Sequence, residues 1–429
     1  MALNRKQFLS QAGVWLFNQV WVRSVFADES KLSTPAVNPL NNLGQPVYSQ
    51  EPLLVNIFLR GGADGLNIVF PTSGTDRQIY ESERPNIKHG STGKDVALAL
   101  NDHFALHPSA VGLHDLYETK KLAVFHATGL QFDTRSHFDA QNLTERGTVT
   151  DHALDSGWMA RLLLAKNYPG RMPSVSMGQL SPTSMLAYTQ NSVVDQLNGI
   201  NWPTPKKFQP DLISAVQTLY TENSSRQLWL SELGTRTLET MQLLNDLANQ
   251  NKGNDAHATD YPKADIGNRL QALAKLVKEN VGIKIATVDM GGWDTHKNQG
   301  VSTDGPFSNL ITQLSQAVKA FYDDVSSTQP LILTIQTEFG RRLKENSNRG
   351  TDHGHGGVMF VVGDRIKGGQ MYGKWPGLKT EQLYQRADVA VTTDYRQVFS
   401  EILAKHTHAK DLAKIFPQFV MKPSLKFLS

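Results

Sequence analysis

The chain of 429 residues contains no cysteine. That excludes disulfides, thiolate metal sites and a cysteine nucleophile. Any metal must be held by histidine, aspartate, glutamate or hydroxyl oxygen. An excess of one charge is also missing, since 43 basic residues face 40 acidic ones and the formal net charge is +3. No basic block with interleaved aromatics occurs, so nucleic acid is not the expected partner. Long apolar runs are missing too, and with them a membrane span. What is present is an ordinary globular composition, 39% hydrophobic and 19% charged, long enough to bury a large core.

The N-terminal stretch "NRKQFLSQAGVWLFNQVWVRSVFADES" has Arg5 and Lys6, then Phe8 and Leu9, a modestly apolar run and Ala27. It resembles a twin-arginine export signal with Lys6 in place of the second arginine. That predicts a periplasmic or secreted protein. The competing reading is an amphipathic helix of a cytoplasmic protein. Residues 1–30 are read as this export-signal-like segment and 31–50 as a polar, proline-containing linker. Residues 51–429 remain as a single α/β domain.

Within that domain, "EPLLVNIFLR", "LAVFHATG", "IKIATVDM", "PLILTIQ" and "VMFVVG" are short, nearly continuous apolar runs. Such runs suit strands covered on both faces. Between them lie helical patterns. "FSNLITQLSQAVKAFYDDV" puts Phe307, Leu310, Ile311, Leu314, Val318 and Phe321 on one face. Strands alternating with helices predict a mostly parallel sheet with helices on both faces. Residues 211–280 are almost wholly helical in pattern and are expected to form an insertion or cap.

Several chemically capable residues share one place in this pattern. Asp64 follows the first strand, Asp294 and His296 follow "IKIATVDM", and Glu338 follows "LILTIQ". In an open parallel sheet, groups just past the strands' carboxyl ends converge on one crevice. His353 and His355, in "GTDHGHGG", precede "VMFVVG", so topology alone does not bring them there. Carboxylates and imidazoles suit a divalent cation. Ser136 caps a helix in "SHFDAQNLTERG" and serves either as a plain N-cap or as a nucleophile at the positive end of the dipole. Arg135, Arg341 and Arg342 form surface ion pairs or contact an anion. His103, His107, His114 and His126 are read as packing or surface residues.

"FLRGGADGLNIVFP", "RSHFDAQ", "SGWMARLL", "GGWDTH", "TEFGRRLKENSNRGTDHGHGG" and "KGGQMYGKWPGL" together resemble the DUF1501 family, which is grouped with the alkaline phosphatase and sulfatase superfamily. The resemblance spans about residues 53–403. It implies a three-layer α/β/α fold and a metal-dependent hydrolase of phosphate or sulfate esters. Asp64, Asp294, His296, Glu338 and one of His353 and His355 match the superfamily's metal ligands. The cofactor is then zinc, calcium, magnesium or manganese, as one or two ions. Phe339 stands where the phosphatases carry a second ligand, which favours a reduced site. Ser136 and Arg341 are expected to be catalytic, with Asn67, Arg135, His137 and Arg342 contacting an anionic ester, small or polymeric. A formylglycine made from cysteine is excluded. Two other functions fit the same resemblance. One is a non-catalytic binding protein, the other a metal-dependent phosphotransferase.

Overall fold

The run Leu53–Leu59 forms strand β1, and each of its residues is buried. The computed structural model describes residues 51–90, 96–149, 154–168, 170, 172–197, 205–221, 228–250 and 260–429. The export-signal-like segment and the linker lie outside the described residues. Among the described residues, the main sheet has nine strands. After β1 come β2 (Leu122–Gly129), β3 (Ser174–Met177), β4 (Ser192–Val194) and β5 (Ile285–Met290). They are followed by β6 (Leu331–Thr337), β7 (Gly357–Gly363), β8 (Gln370–Tyr372) and β9 (Thr393–Asp394). Their order across the sheet is β8-β2-β7-β6-β1-β5-β3-β4, with β9 also beside β2.

The sheet is parallel except at β7. β1 pairs in parallel with β5 and β6, whereas β7 runs antiparallel to both of its neighbours, β2 and β6. A strand running the other way begins where its neighbours end. His353 and His355 therefore arrive at the carboxyl edge of the parallel strands, which the apolar run "VMFVVG" could not reveal.

Helices cover both faces, because alternate strand residues point to opposite sides. On one side Val55, Ile57, Val288 and Leu333 join one apolar cluster with Leu113, Leu273 and Leu314. Those last three belong to α1 (Val111–Glu118), α6 (Asp265–Lys278) and α7 (Pro306–Val325). On the other side Leu54, Phe125, Ile332 and Met359 cluster with Leu162 and Phe399, from α3 (Trp158–Lys166) and α8 (Tyr395–His406). α2 (His137–Arg146) follows β2 and lies near the site described below.

The helical segment expected at 211–280 divides into two parts. α4 (Gln209–Thr221) and α5 (Leu228–Gln250) share a small cluster around Val216 and Leu238. α6 packs on the sheet as part of the main core, which the far end of α5 also joins through Leu247. Its apolar residues at helical spacing, Leu270, Leu273, Leu276 and Val277, are all buried. Each such side chain contributes about 1.5–3 kcal/mol when fully buried.

Candidate metal centre

Four strand-end connections meet at the carboxyl edge of the sheet, and the one after β2 brings His137 at the start of α2. After β1, Gly61 and Gly62 have positive φ, and a Cβ on Gly61 would stand 2.6 Å from the backbone nitrogen of Asp294. Only glycine lets these two loops approach so closely. After β5, "GGWDTH" is pinned by Trp293, which is fully buried and meets Phe307 edge-on. After β6, Glu338 and Phe339 are both buried. A hairpin then pairs Arg341–Glu345 with Thr351–His353, placing Arg341 directly across from His353. Thr351 N donates to Thr295 O at 3.2 Å, tying this hairpin to the loop after β5.

Here three imidazoles converge on one carboxylate oxygen. His353 Nε2 lies 2.9 Å from His137 Nε2 and 2.9 Å from His296 Nε2. Asp294 Oδ1 lies 3.0 Å from His296 Nε2 and 3.4 Å from the Nε2 atoms of His137 and His353. The far nitrogen of each ring faces an acceptor. His137 Nδ1 donates to Glu338 Oε1 at 2.8 Å, His353 Nδ1 to the backbone carbonyl of Arg135 at 2.7 Å, and His296 Nδ1 to Asp352 Oδ1 at 3.3 Å. Carbonyl and carboxylate oxygens only accept, so the proton of each neutral ring sits on Nδ1 and Nε2 offers a lone pair. Three lone pairs and a carboxylate oxygen thus face one point.

Such a cluster needs positive charge. Part can come from a proton. The hydrogen bond to Glu338 raises the His137 pKa above the usual imidazole value, against the effect of burial. Burial lowers that of His353. For Asp294, burial would raise the pKa, but the hydrogen bond and charge of Arg341 outweigh it and the carboxyl is held below its ordinary range. Glu338 is likewise pushed up by burial, yet held low overall by hydrogen bonds from His137 and Gln141.

A divalent cation also fits. A tetrahedral ion about 2.0–2.1 Å from each ligand gives ligand-to-ligand edges of about 3.3–3.4 Å. The observed separations of 2.9–3.4 Å are of that size. Among the described residues, His137, Asp294 and His353 form a group with ligand atoms within 4.8 Å of one another, and His296 adjoins it. The rings already carry the outer acceptors that metal-bound histidines require.

The other expected site residues are placed differently. Glu338 stands behind His137, accepting also from Gln141 Nε2 at 2.8 Å and Gly61 N at 2.9 Å. Asp64 is fully buried and paired with Arg84 at 2.7 Å, its Oδ2 also accepting from Gln299. It is engaged away from the imidazoles. His355 stacks on Tyr384 with ring centres 4.1 Å apart. Asn67 accepts from Tyr80 and Arg84 in the interior, too buried to meet an ester. The side chain of Arg135 pairs with Asp388, and Arg342 Nε is 4.0 Å from that same carboxylate. Ser136 caps α2, its hydroxyl accepting from Asp139 N at 3.4 Å. Arg341 spends its donors inside the protein, on backbone carbonyls and Asp294. His137 was expected at the substrate rather than among the imidazoles. Its signal in the sequence is the spacing to Gln141, which puts both on one helical face toward Glu338.

Comparison with known proteins adds a family. Residues 52–416 match the family described as "Protein of unknown function (DUF1501)". The chain belongs to that family. No protein of curated function matches it. Among solved structures it is similar to the C-terminal periplasmic domain of EcEptC from Escherichia coli. One such structure, a complex with zinc, is 10% identical over 74% of each chain, with a TM-score of 0.36. Another is 10% identical over 89% of this chain and 90% of that one, with a TM-score of 0.41. The likeness is coarse, a mixed α/β arrangement about a mostly parallel sheet. No described helix is long and apolar enough to cross a membrane.

Proposed function

We propose that this protein is a metal-dependent hydrolase of phosphate or sulfate esters, with an alkaline phosphatase-like fold, acting in the periplasm or outside the cell. The observation that carries the proposal is the convergence of His137, His296 and His353 Nε2 on Asp294 Oδ1. Three nitrogens and one oxygen favour zinc over calcium or magnesium, which prefer all-oxygen cages. Phe339 supports a single ion, because its ring packs 4.7 Å from His137 and 5.0 Å from His353, where it supplies no ligand.

A bound divalent cation supplies Lewis acidity toward an ester oxygen. The chain's own residues do the rest. Glu338 keeps the proton of His137 on Nδ1. Asp352 does the same for His296, and the Arg135 carbonyl for His353. The Asp294 side chain is about half exposed, at 49%, so a polar ester can reach the cluster from solvent. Ser136, one residue before His137, is proposed as the nucleophile. With water as the final acceptor the reaction is hydrolysis, and with another hydroxyl it is phosphoryl transfer.

A second reading has its own observation. Four protein ligands already complete a tetrahedral ion, as in closed structural sites. The protein would then hold its metal for shape and bind anionic small molecules or polysaccharides without turnover. Elemental mass spectrometry on protein purified without chelator, followed by a panel of phosphate and sulfate esters, separates the readings. The hydrolase reading expects about one zinc-type ion per chain, with turnover lost in Asp294→Ala and Ser136→Ala. Metal without turnover on any ester favours the second reading. Metal content unchanged in Asp294→Ala and His353→Ala overturns both.

A further inference from the structure

Arg341 is buried, yet it belongs to no apolar cluster. Its Nε donates to Gly62 O at 2.6 Å, its Nη1 to Thr351 O at 2.8 Å, and its Nη2 to Gly61 O at 2.5 Å and Asp294 Oδ1 at 2.6 Å. Nη2 is also 3.3 Å from Trp293 O, and Nη1 is 3.4 Å from His296 Nε2. These partners lie on three separate segments. One is the turn after β1, one the loop after β5, and one the hairpin that carries His353. A guanidinium presents its donors in a rigid planar fork, so it can bind several fixed acceptors at once.

We infer that Arg341 is a positioning residue, which holds the ligand-bearing segments in register and aims Asp294 Oδ1 at the imidazoles before any cation arrives. This rests on the metal-centre reading above. The guanidinium acts on a cation in two opposed ways. Its charge repels a divalent ion, and its hydrogen bonds place the ligands. Removing an outer partner of a metal ligand costs about 10- to 100-fold in affinity. If repulsion dominated, removing the charge would tighten binding instead.

The test measures zinc affinity of the full chain, Arg341→Lys and Arg341→Met by competition with a chromophoric chelator. Cobalt(II) absorption in the same proteins reads the coordination geometry. Arg341→Met is expected to bind zinc about 10- to 100-fold more weakly, with a changed cobalt spectrum, and Arg341→Lys to fall between. Equal or tighter zinc binding by Arg341→Met overturns the inference. Amide hydrogen exchange on the metal-free wild type needs no variant. Protection across residues 291–296 and 349–355 is expected before zinc is added, and exchange there at the rate of an unstructured chain overturns the inference even if Arg341→Met does not fold. A wild type that binds neither zinc nor cobalt sinks the metal-centre reading and this inference with it. A wild type that binds, beside an unchanged Arg341→Met, sinks this inference alone.

Discussion

Glu338 Oε1 lies 2.8 Å from His137 Nδ1, and Phe339, the next residue, lays its ring against the same imidazole. One strand end therefore fixes both the proton and the plane of His137. Glu338→Gln removes the charge that keeps His137 a strong donor toward a cation. Zinc affinity is expected to fall about 10- to 100-fold while the fold is retained. Chelator competition beside circular dichroism checks it.

The two histidines of "GTDHGHGG" are expected to behave differently. His353→Ala loses the bound ion. His355→Ala keeps it and loses only the stack on Tyr384, lowering stability by about 1 kcal/mol. Elemental mass spectrometry and chemical denaturation on the pair decide. Equal metal loss in both variants would contradict the placement of His355.

Asp64 gives the opposite pattern to Asp294. Asp64→Ala strands the guanidinium of Arg84, and both side chains of that pair are fully buried. Breaking a buried pair in this way costs about 3–5 kcal/mol. The expected result is a large drop in the urea midpoint with metal content near that of wild type. Loss of metal at full stability would move Asp64 back among the ligands.

Two core histidines set an acid limit. Burial lowers His107 and His126 from 6.5 to about 4. Their geometry agrees, because His107 Nδ1 accepts from Ser109 N and His126 Nδ1 accepts from Ala127 N. A proton on either nitrogen would face an N–H. Between about pH 4 and 6.5 the unfolded chain holds more protons than the folded one, so stability rises with pH across that window. It is full above about pH 6.5 and falls on acidification by about 1.4 kcal/mol per pH unit for each ring. Urea titrations at several pH values in this range measure the slope. A flat profile would show that these rings are not held neutral.

The apolar runs read from the sequence appear as β1, β2, β5, β6 and β7, and the rule that strand ends share one crevice does bring Asp294, His296 and Glu338 near each other. Three things escape such reading. Direction is one, since "VMFVVG" is equally apolar whichever way it runs. Rank within a site is another. Glu338 and Asp294 both follow strands, and only the folded geometry puts one behind an imidazole and the other beside it. Distant partners are the third. Asp64 looks free until Arg84, at the end of the helix Gly74–Glu83 in a stretch whose sequence reads as polar, neutralises it. Ser136 stays at its helix cap, as its sequence context suggests.

The reversed strand β7 also sets an order of assembly. His137 and His353 stand 216 positions apart. His353 reaches the cluster only through the hairpin leading into β7, which must slot between β2 and β6 with both flanks paired. Closing so long a stretch of chain is slow relative to local helix formation. The nascent protein therefore presents at most an incomplete imidazole set until β7, which ends at Gly363, has emerged. On the metal-dependent reading proposed above, cation capture becomes a late event in biogenesis, after the sheet has closed around the reversed strand β7.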